Sequence, residues 1–269
     1  MQNILLLFAR FGSFITFVFM TIVCFLLIIK YNQTQQSIFV NSSNYYANKL
    51  DSRMSKWQRY LSLQEVNDSL AHHNASLMET FINFRPVNEV PQDSTRQYEI
   101  VPGNVVRSTR HLRNNHVTLD IGAAQGIQKD MGVIGDRGLI GIVREVSSHY
   151  AHVISVLNSQ TRISCTVKPH AYAGHLVWKD IDAEHMTLMS IPKHVSISIG
   201  DTVSTNGYST IFPAGIDVGR VVEFSVEKGS SNYNIKVRLF NNVPNTKVGY
   251  VIINHLSEER RELESVSDE

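Results

Sequence analysis

The residues that could do chemistry in this chain are few, and their spacing is poor for it. Two cysteines stand far apart. Cys24 lies in an apolar N-terminal run and Cys165 in an expected strand, so a disulfide between them is implausible. Nucleophile motifs are absent: no Gly-Asp-Ser-Gly and no Gly-x-Ser-x-Gly occurs, and Gly200-Asp201 is followed by Thr202 and Val203. Ser209, in Gly207-Tyr208-Ser209-Thr210, lacks the second glycine of a nucleophile elbow. Eleven histidines invite a metal reading. Yet His149 and His152 have no Cys or carboxylate partners at ligand spacing, and no His-Glu-x-x-His occurs. His72 and His73 are adjacent and so fall on different helix faces. No glycine loop opens a helix to cradle phosphate. With 25 basic and 24 acidic residues the net charge is +1, which projects no field toward nucleic acid. The residues therefore predict no enzyme, no metal and no cofactor, which shifts attention to the elements as contact surfaces.

The first element is an apolar run. Phe11 to Ile29 carries no charge, and as a helix would be about 28 Å long, close to the hydrocarbon thickness of a bilayer. The run continues into Lys30-Tyr31-Asn32-Gln33 with no small-x-small site, so an uncleaved anchor is expected at 11–29, after a short N-terminus at 1–10. Arg10 and the α-amino group flank one side and Lys30 the other. The flanking charges leave the orientation open.

The second element is a stalk. From about Ser37 to Phe84 there is neither glycine nor proline, as a long helix requires. Leu50, Met54, Trp57 and Leu61 fall at 4-3-4 spacing. After a slip of register come Leu63, Leu70, Leu77 and Phe84, each seven apart. Asn67, Asn74 and Phe81 are also seven apart. With the leucines at d, Asn67 and Asn74 sit at a, where Asn weakens the seam but favours a parallel, in-register dimer. A coiled-coil stalk over 37–84 is expected, against the alternative of an amphipathic helix packed on its own domain.

Residues 85–97, with Pro86, Pro91 and a cluster of Asn, Gln, Asp and Ser, read as a linker. Beyond it the period changes from 3.6 to 2. Val117-Leu119-Ile121, Val195-Ile197-Ile199 and Ile235-Val237-Leu239 alternate with polar residues, and Ala151 to Leu157 reads as a buried strand. Frequent glycine turns between short strands indicate an all-β region of two small barrel-like subdomains. A division near Lys168-Pro169-His170 gives subdomains at 98–169 and 170–256, although one could be inserted in the other. A charged, solvated tail occupies 257–269.

One stretch is specific enough to carry a resemblance. Gly200-Asp201-Thr202-Val203 through Asn206-Gly207, then Ile211-Phe212-Pro213-Ala214-Gly215-Ile216-Asp217-Val218-Gly219-Arg220-Val221, resembles the Gly-Asp-x-Val and Phe-Pro-x-Gly-Ile-x-Val-Gly-x-Val segments of the rod shape-determining protein MreC family. Leu119-Asp120-Ile121-Gly122, Gly126-Ile127, Met131-Gly132-Val133 and Gly138 to Val143 match it too. So does the Asn-Leu rhythm Asn67, Leu70, Asn74, Leu77. Asn206 departs from the family, which more often has Ser there. The motif glycines and Pro213 suit tight turns, so these are fold-defining positions.

The resemblance implies a bacterial inner-membrane protein with its bulk in the periplasm. It implies dimerisation through the stalk, self-association into filaments, and a scaffold role in the elongation machinery. The implied partners are the elongation-specific penicillin-binding transpeptidase and other membrane components of that machinery. Tyr208, Ile211 and Phe212 are apolar residues in a Gly-rich turn; the expectation is that Phe212 plugs a barrel end rather than binding a partner. The rival architecture, a periplasmic adaptor of an efflux or secretion system, needs a helical hairpin between β segments. Here a helix precedes all the β structure.

Overall fold

The structure is a computed structural model that describes residues 2–31, 62–84, 97–109, 112–169, 172–179, 182–226 and 229–267. Two compact units result, Met1–Asn67 and Asp68–Glu269. In the first, helix α1 (Gln2–Tyr31) carries the apolar run. Its side chains are described from Gly12 to Ile28, and Phe14, Phe17, Phe19, Met20, Phe25 and Leu26 are all exposed. A helix apolar on every face has no polar side to give to water. Among the described residues no helix is long and apolar enough to cross a membrane. Helix α2 (62–83) runs into the second unit. Leu50, Met54, Trp57 and Leu61, the first half of the expected seam, lie outside the described residues.

The second unit is built on two closed, six-stranded antiparallel barrels. Barrel 1 takes β1 (Tyr98–Ser108), β2 (Asn114–Leu119), β3 (Gly132–Ile134), β4 (Leu139–Val146), β5 (Ala151–Asn158) and β12 (Val248–Asn254), in the order β1-β12-β3-β4-β5-β2. Barrel 2 takes β6 (Arg162–Val167), β7 (Ala173–Val177), β8 (His185–Pro192), β9 (Thr202–Thr205), β10 (Asp217–Val226) and β11 (Asn232–Leu239), in the order β10-β11-β8-β7-β6-β9. Closure leaves neither sheet with an unpaired edge.

Barrel 2 is thus inserted in barrel 1, between β5 and β12. The chain crosses at 159–161 and returns at 240–247, so the division expected near Lys168-Pro169-His170 falls inside barrel 2, at the β6–β7 turn. β6 pairs antiparallel with β7 on either side of that point, and the crossing from barrel 1 carries only Ser159-Gln160-Thr161.

Period-2 patterning places the core. Val117 and Leu119 of β2, Val153 of β5 and Val133 of β3 fill barrel 1; Leu176, Leu188, Val203, Ile235 and Val237 fill barrel 2. The alternation at Val195, Ile197 and Ile199 is not a strand. It lies in the β8–β9 connection, where Val195 and Ile197 are buried and Ile199 is 70 % exposed. The Asp201 carboxylate accepts the Ser198 N–H at 2.8 Å, so a side chain satisfies backbone that a ladder would otherwise have paired. The tail is helical over Ser257–Ser267, here α3.

Candidate functional site

Two places in the second unit gather the residues that sequence singled out. One is α2. It carries two apolar stripes, and they meet different fates. Ala71 and Ala75 are buried, and Met78 and Ile82 pack with Ala75 against the barrel core. At i, i+4, i+7 and i+11 these form one helical face. Beside it, Leu63, Leu70, Leu77, Phe81 and Phe84 are between 54 and 77 % exposed. Asn67 and Asn74 are exposed as well. The expected seam residues from Leu63 to Phe84 thus lie exposed along the helix among the described residues. The helix packs on its own domain with a different stripe, and that packing leaves the residues of the expected seam exposed. The Ala71-Ala75-Met78-Ile82 stripe carries little signal in the sequence, because two of its members are alanines, although its spacing is regular.

The end of α2 is pinned to the barrel. Asn83 Nδ2 donates to Tyr98 O at 2.8 Å, while the Tyr98 N–H donates to Asn83 Oδ1 at 3.1 Å. The amide side chain mimics a strand partner for the first residue of β1, and thereby fixes where the seam stands on barrel 1.

The second place is the joint between the barrels, and the motif builds most of it. Gly200 and Asp201 form the turn into β9, and Gly219 lies in β10 where it pairs with Leu239 of β11. Gly207 and Pro213 belong to the β9–β10 connection. That connection is held by the Thr205 hydroxyl, which donates to Pro213 O at 2.6 Å and accepts from Ile216 N at 3.0 Å. Gly215, at φ +91°, supplies the left-handed residue that returns its own N–H to Thr205 O. These bonds carry Phe212 out of barrel 2 and onto barrel 1.

Phe212 is 4 % exposed. It lies against Gly132 of β3, where a Cβ would stand 2.6 Å from the ring and 2.5 Å from Ile211 O. Nearby, the buried Asn241, which follows β11, donates from Nδ2 to Leu139 O of β4 at 3.2 Å. Phe212 therefore fills space between the barrels rather than plugging the end of one. Tyr208 is 67 % exposed in the same connection, and Ile211 is half-buried. The contact of Gly132 with Phe212 spans two barrels and has no local signal in the sequence.

Several other titratable and nucleophilic groups among the described residues are used structurally. Ser209 Oγ accepts the Ile211 N–H at 3.2 Å within the turn. Cys165 is fully buried in β6, and burial pushes its thiol up to about 12, where it has no thiolate character at neutral pH. His185 Nδ1 lies 2.6 Å from Asp182 Oδ2, and the Asp182 carboxylate also accepts the Glu184 N–H at 2.8 Å. That backbone bond, then His185, holds the carboxyl below its usual range. The Trp178 indole N–H donates to Asp182 O, so the group organises the β7–β8 turn. His152 stacks on His116 with ring centroids 4.7 Å apart, while His149, His72 and His73 are exposed. Among the described residues no three His, Cys, Asp or Glu side chains gather as a metal site.

Residues 105–253 match the family "Rod shape-determining protein MreC, barrel core". The cell shape-determining protein MreC of Listeria monocytogenes is 30 % identical over 140 residues, covering 51 % of this chain and 47 % of that protein. The chain spans about half the length of the curated relatives it matches first. Among solved structures, MreC of Listeria monocytogenes superposes with TM-score 0.55 at 19 % identity, covering 79 % of this chain and 96 % of the other. The major periplasmic domain of the cell shape-determining filament MreC superposes with TM-score 0.51 at 23 % identity, covering 60 % and 99 %. At those identities the structural likeness speaks for the fold.

Proposed function

The chain belongs to the MreC family of rod shape-determining proteins, and on that premise we propose that it is a non-enzymatic, membrane-anchored scaffold of the cell-elongation machinery. In this reading it dimerises through α2, stands in the periplasm, and organises peptidoglycan synthesis to maintain cell shape. The observation that carries the reading is the seam of α2. Leu70, Leu77 and Phe84, with Asn74 and Phe81 beside them, stay in water while the adjacent stripe of the same helix is packed. Exposed apolar surface at heptad spacing is expensive for a monomer and is what a parallel two-stranded coil buries.

Anchoring at α1 rests on the uncharged run 11–29 and on the exposure of its apolar side chains on every face. A periplasmic position is supported by the relative whose solved portion is a periplasmic domain. Contact with the elongation-specific penicillin-binding transpeptidase and other membrane components, and assembly into filaments, are what membership of the family suggests for this chain.

The test is the solution mass of a chain lacking residues 1–31, measured by light scattering beside its Leu70→Glu/Leu77→Glu variant. Both leucines are exposed, so the barrels should fold in either. A dimer that becomes a monomer in the variant supports the reading. A monomer in both would remove the stalk as a dimerisation element.

A further inference from the structure

The tail expected to be a solvated, charged end does more than that. After Asn254 the chain leaves barrel 1 and, through His255 and Leu256, enters α3, whose sequence SEERRELESVS is acidic apart from two arginines. Both arginines reach back to the body of the protein. Arg260 Nη2 donates to Tyr208 O at 2.9 Å, and Nη1 to Gly207 O at 3.4 Å. Arg261 Nη2 lies 3.7 Å from the Asp130 carboxylate, which Asp130 presents from a left-handed backbone at φ +67°. Just before the helix, Asn254 Nδ2 donates to Thr210 O at 3.2 Å. Gly207, Tyr208 and Thr210 all belong to the β9–β10 connection of barrel 2, whereas Asp130 precedes β3 of barrel 1.

We propose that α3 is a releasable clasp across the joint: docked, it holds the β9–β10 connection of barrel 2 against barrel 1, and undocked, it frees the two barrels to turn about their crossings. Three observations converge on this. The guanidinium is a planar fork of donors and serves two successive carbonyls at once, which an ammonium could not do in the same geometry. The connection it grips is the one that seats Phe212 on Gly132, so α3 acts on the joint's main apolar contact from outside. The helix is eleven residues long, and an isolated helix of that length is marginal in water, so its order depends on docking. Glu258 and Glu259 in its first turn favour the helix once it starts. The clasp contacts are exposed, so they can open without unfolding a barrel.

Hydrogen exchange on the full chain, with Arg260→Ala, Arg260→Lys and a chain ending at Leu256, tests the clasp. In Arg260→Ala and the truncated chain, exchange across 206–212 should rise about tenfold, the scale on which a local unit opens when charge-assisted bonds are lost. Exchange across β11 should not move, and Arg260→Lys should fall between. Spin labels at Glu145→Cys and Glu223→Cys, with Cys24→Ser, should give one narrow distance in the intact chain and a broader distribution in the truncated one. Unchanged exchange at 206–212 with an unchanged distance distribution would overturn the clasp. So would faster exchange in β11 as well, because α3 would then be part of the barrel's own fold.

Discussion

Phe212 and Gly132 form a pair in which one residue occupies the space the other leaves. Truncating the ring opens a cavity between two barrels that have little means to collapse, so Phe212→Ala should cost about 3–5 kcal/mol. Gly132→Ala attacks the same contact from the other side. Its Cβ would meet both the ring and the Ile211 carbonyl, and the overpacking should cost about 1–3 kcal/mol. Because the two residues touch, their effects should not add. In urea melts the double variant Gly132→Ala/Phe212→Leu should be more stable than the sum of its singles, and strict additivity would show that the ring and Gly132 do not meet in solution. A different residue sets a pH dependence. His116 Nδ1 is buried and has no hydrogen-bond partner, and desolvation, helped by the stacked His152, lowers its pKa. The folded state therefore binds fewer protons than the unfolded chain. This contribution to stability is complete above the unfolded value near 6.5 and is lost as pH falls below it. His116→Gln should flatten the fall in urea midpoint between pH 7 and 5; a slope equal to that of the unaltered chain would place the acid sensitivity elsewhere.

At the scale of elements, α2 makes two opposite predictions on one helix. Leu77→Ala removes an exposed side chain and should weaken the proposed dimer while leaving the melting of the barrels within about 0.5 kcal/mol. Ala75→Glu places a charge in the buried stripe and should destabilise the barrel unit by several kcal/mol. Thermal melts run beside light scattering separate the two, and a variant pair that moved both readouts together would contradict the division of faces. The same helix marks what a sequence can disclose. Leu70, Leu77 and Phe84 announce an apolar stripe because large apolar residues at a fixed interval stand out on a polar helix. Ala71 and Ala75 announce nothing, since alanine suits a helix anywhere. The strands at Val117-Leu119 and Ile235-Val237 were legible from alternation. Val195-Ile197-Ile199 had the same alternation yet is a loop, in which the Val195 N–H turns back to Pro192 O and the Ser198 N–H donates to the Asp201 carboxylate. The motif from Gly200 to Gly219 was legible as turns. Its joining of two barrels was not, because Gly132 and Asn241 meet it from distant parts of the chain.

At the scale of the whole second unit, the insertion decides how the barrels depend on each other. Barrel 2 is contiguous from Arg162 to Leu239, so every strand it needs lies on one stretch of chain. Barrel 1 is not. Its β12 lies between β1 and β3 and pairs with both, Val101 facing Val251 on one side and Val133 facing it on the other. Val251 and Ile252 are also buried in the core. A chain stopped after Lys247 keeps five of barrel 1's six strands but leaves β1 and β3 with facing unpaired edges, whose backbone groups no other element can satisfy. Barrel 1 should therefore fail to close while barrel 2 persists. It would lose the contacts of Phe212 and Asn241 across the joint, and those that Asn254 and Arg260 make from the deleted end. Exchange-detected NMR of the truncated chain should show protected amides in β8 and β11 and none in β2 or β5. Protection in both barrels would mean that β1 and β3 pair directly in a five-stranded closure. Loss in both would mean that barrel 2 folds only on the completed surface of barrel 1.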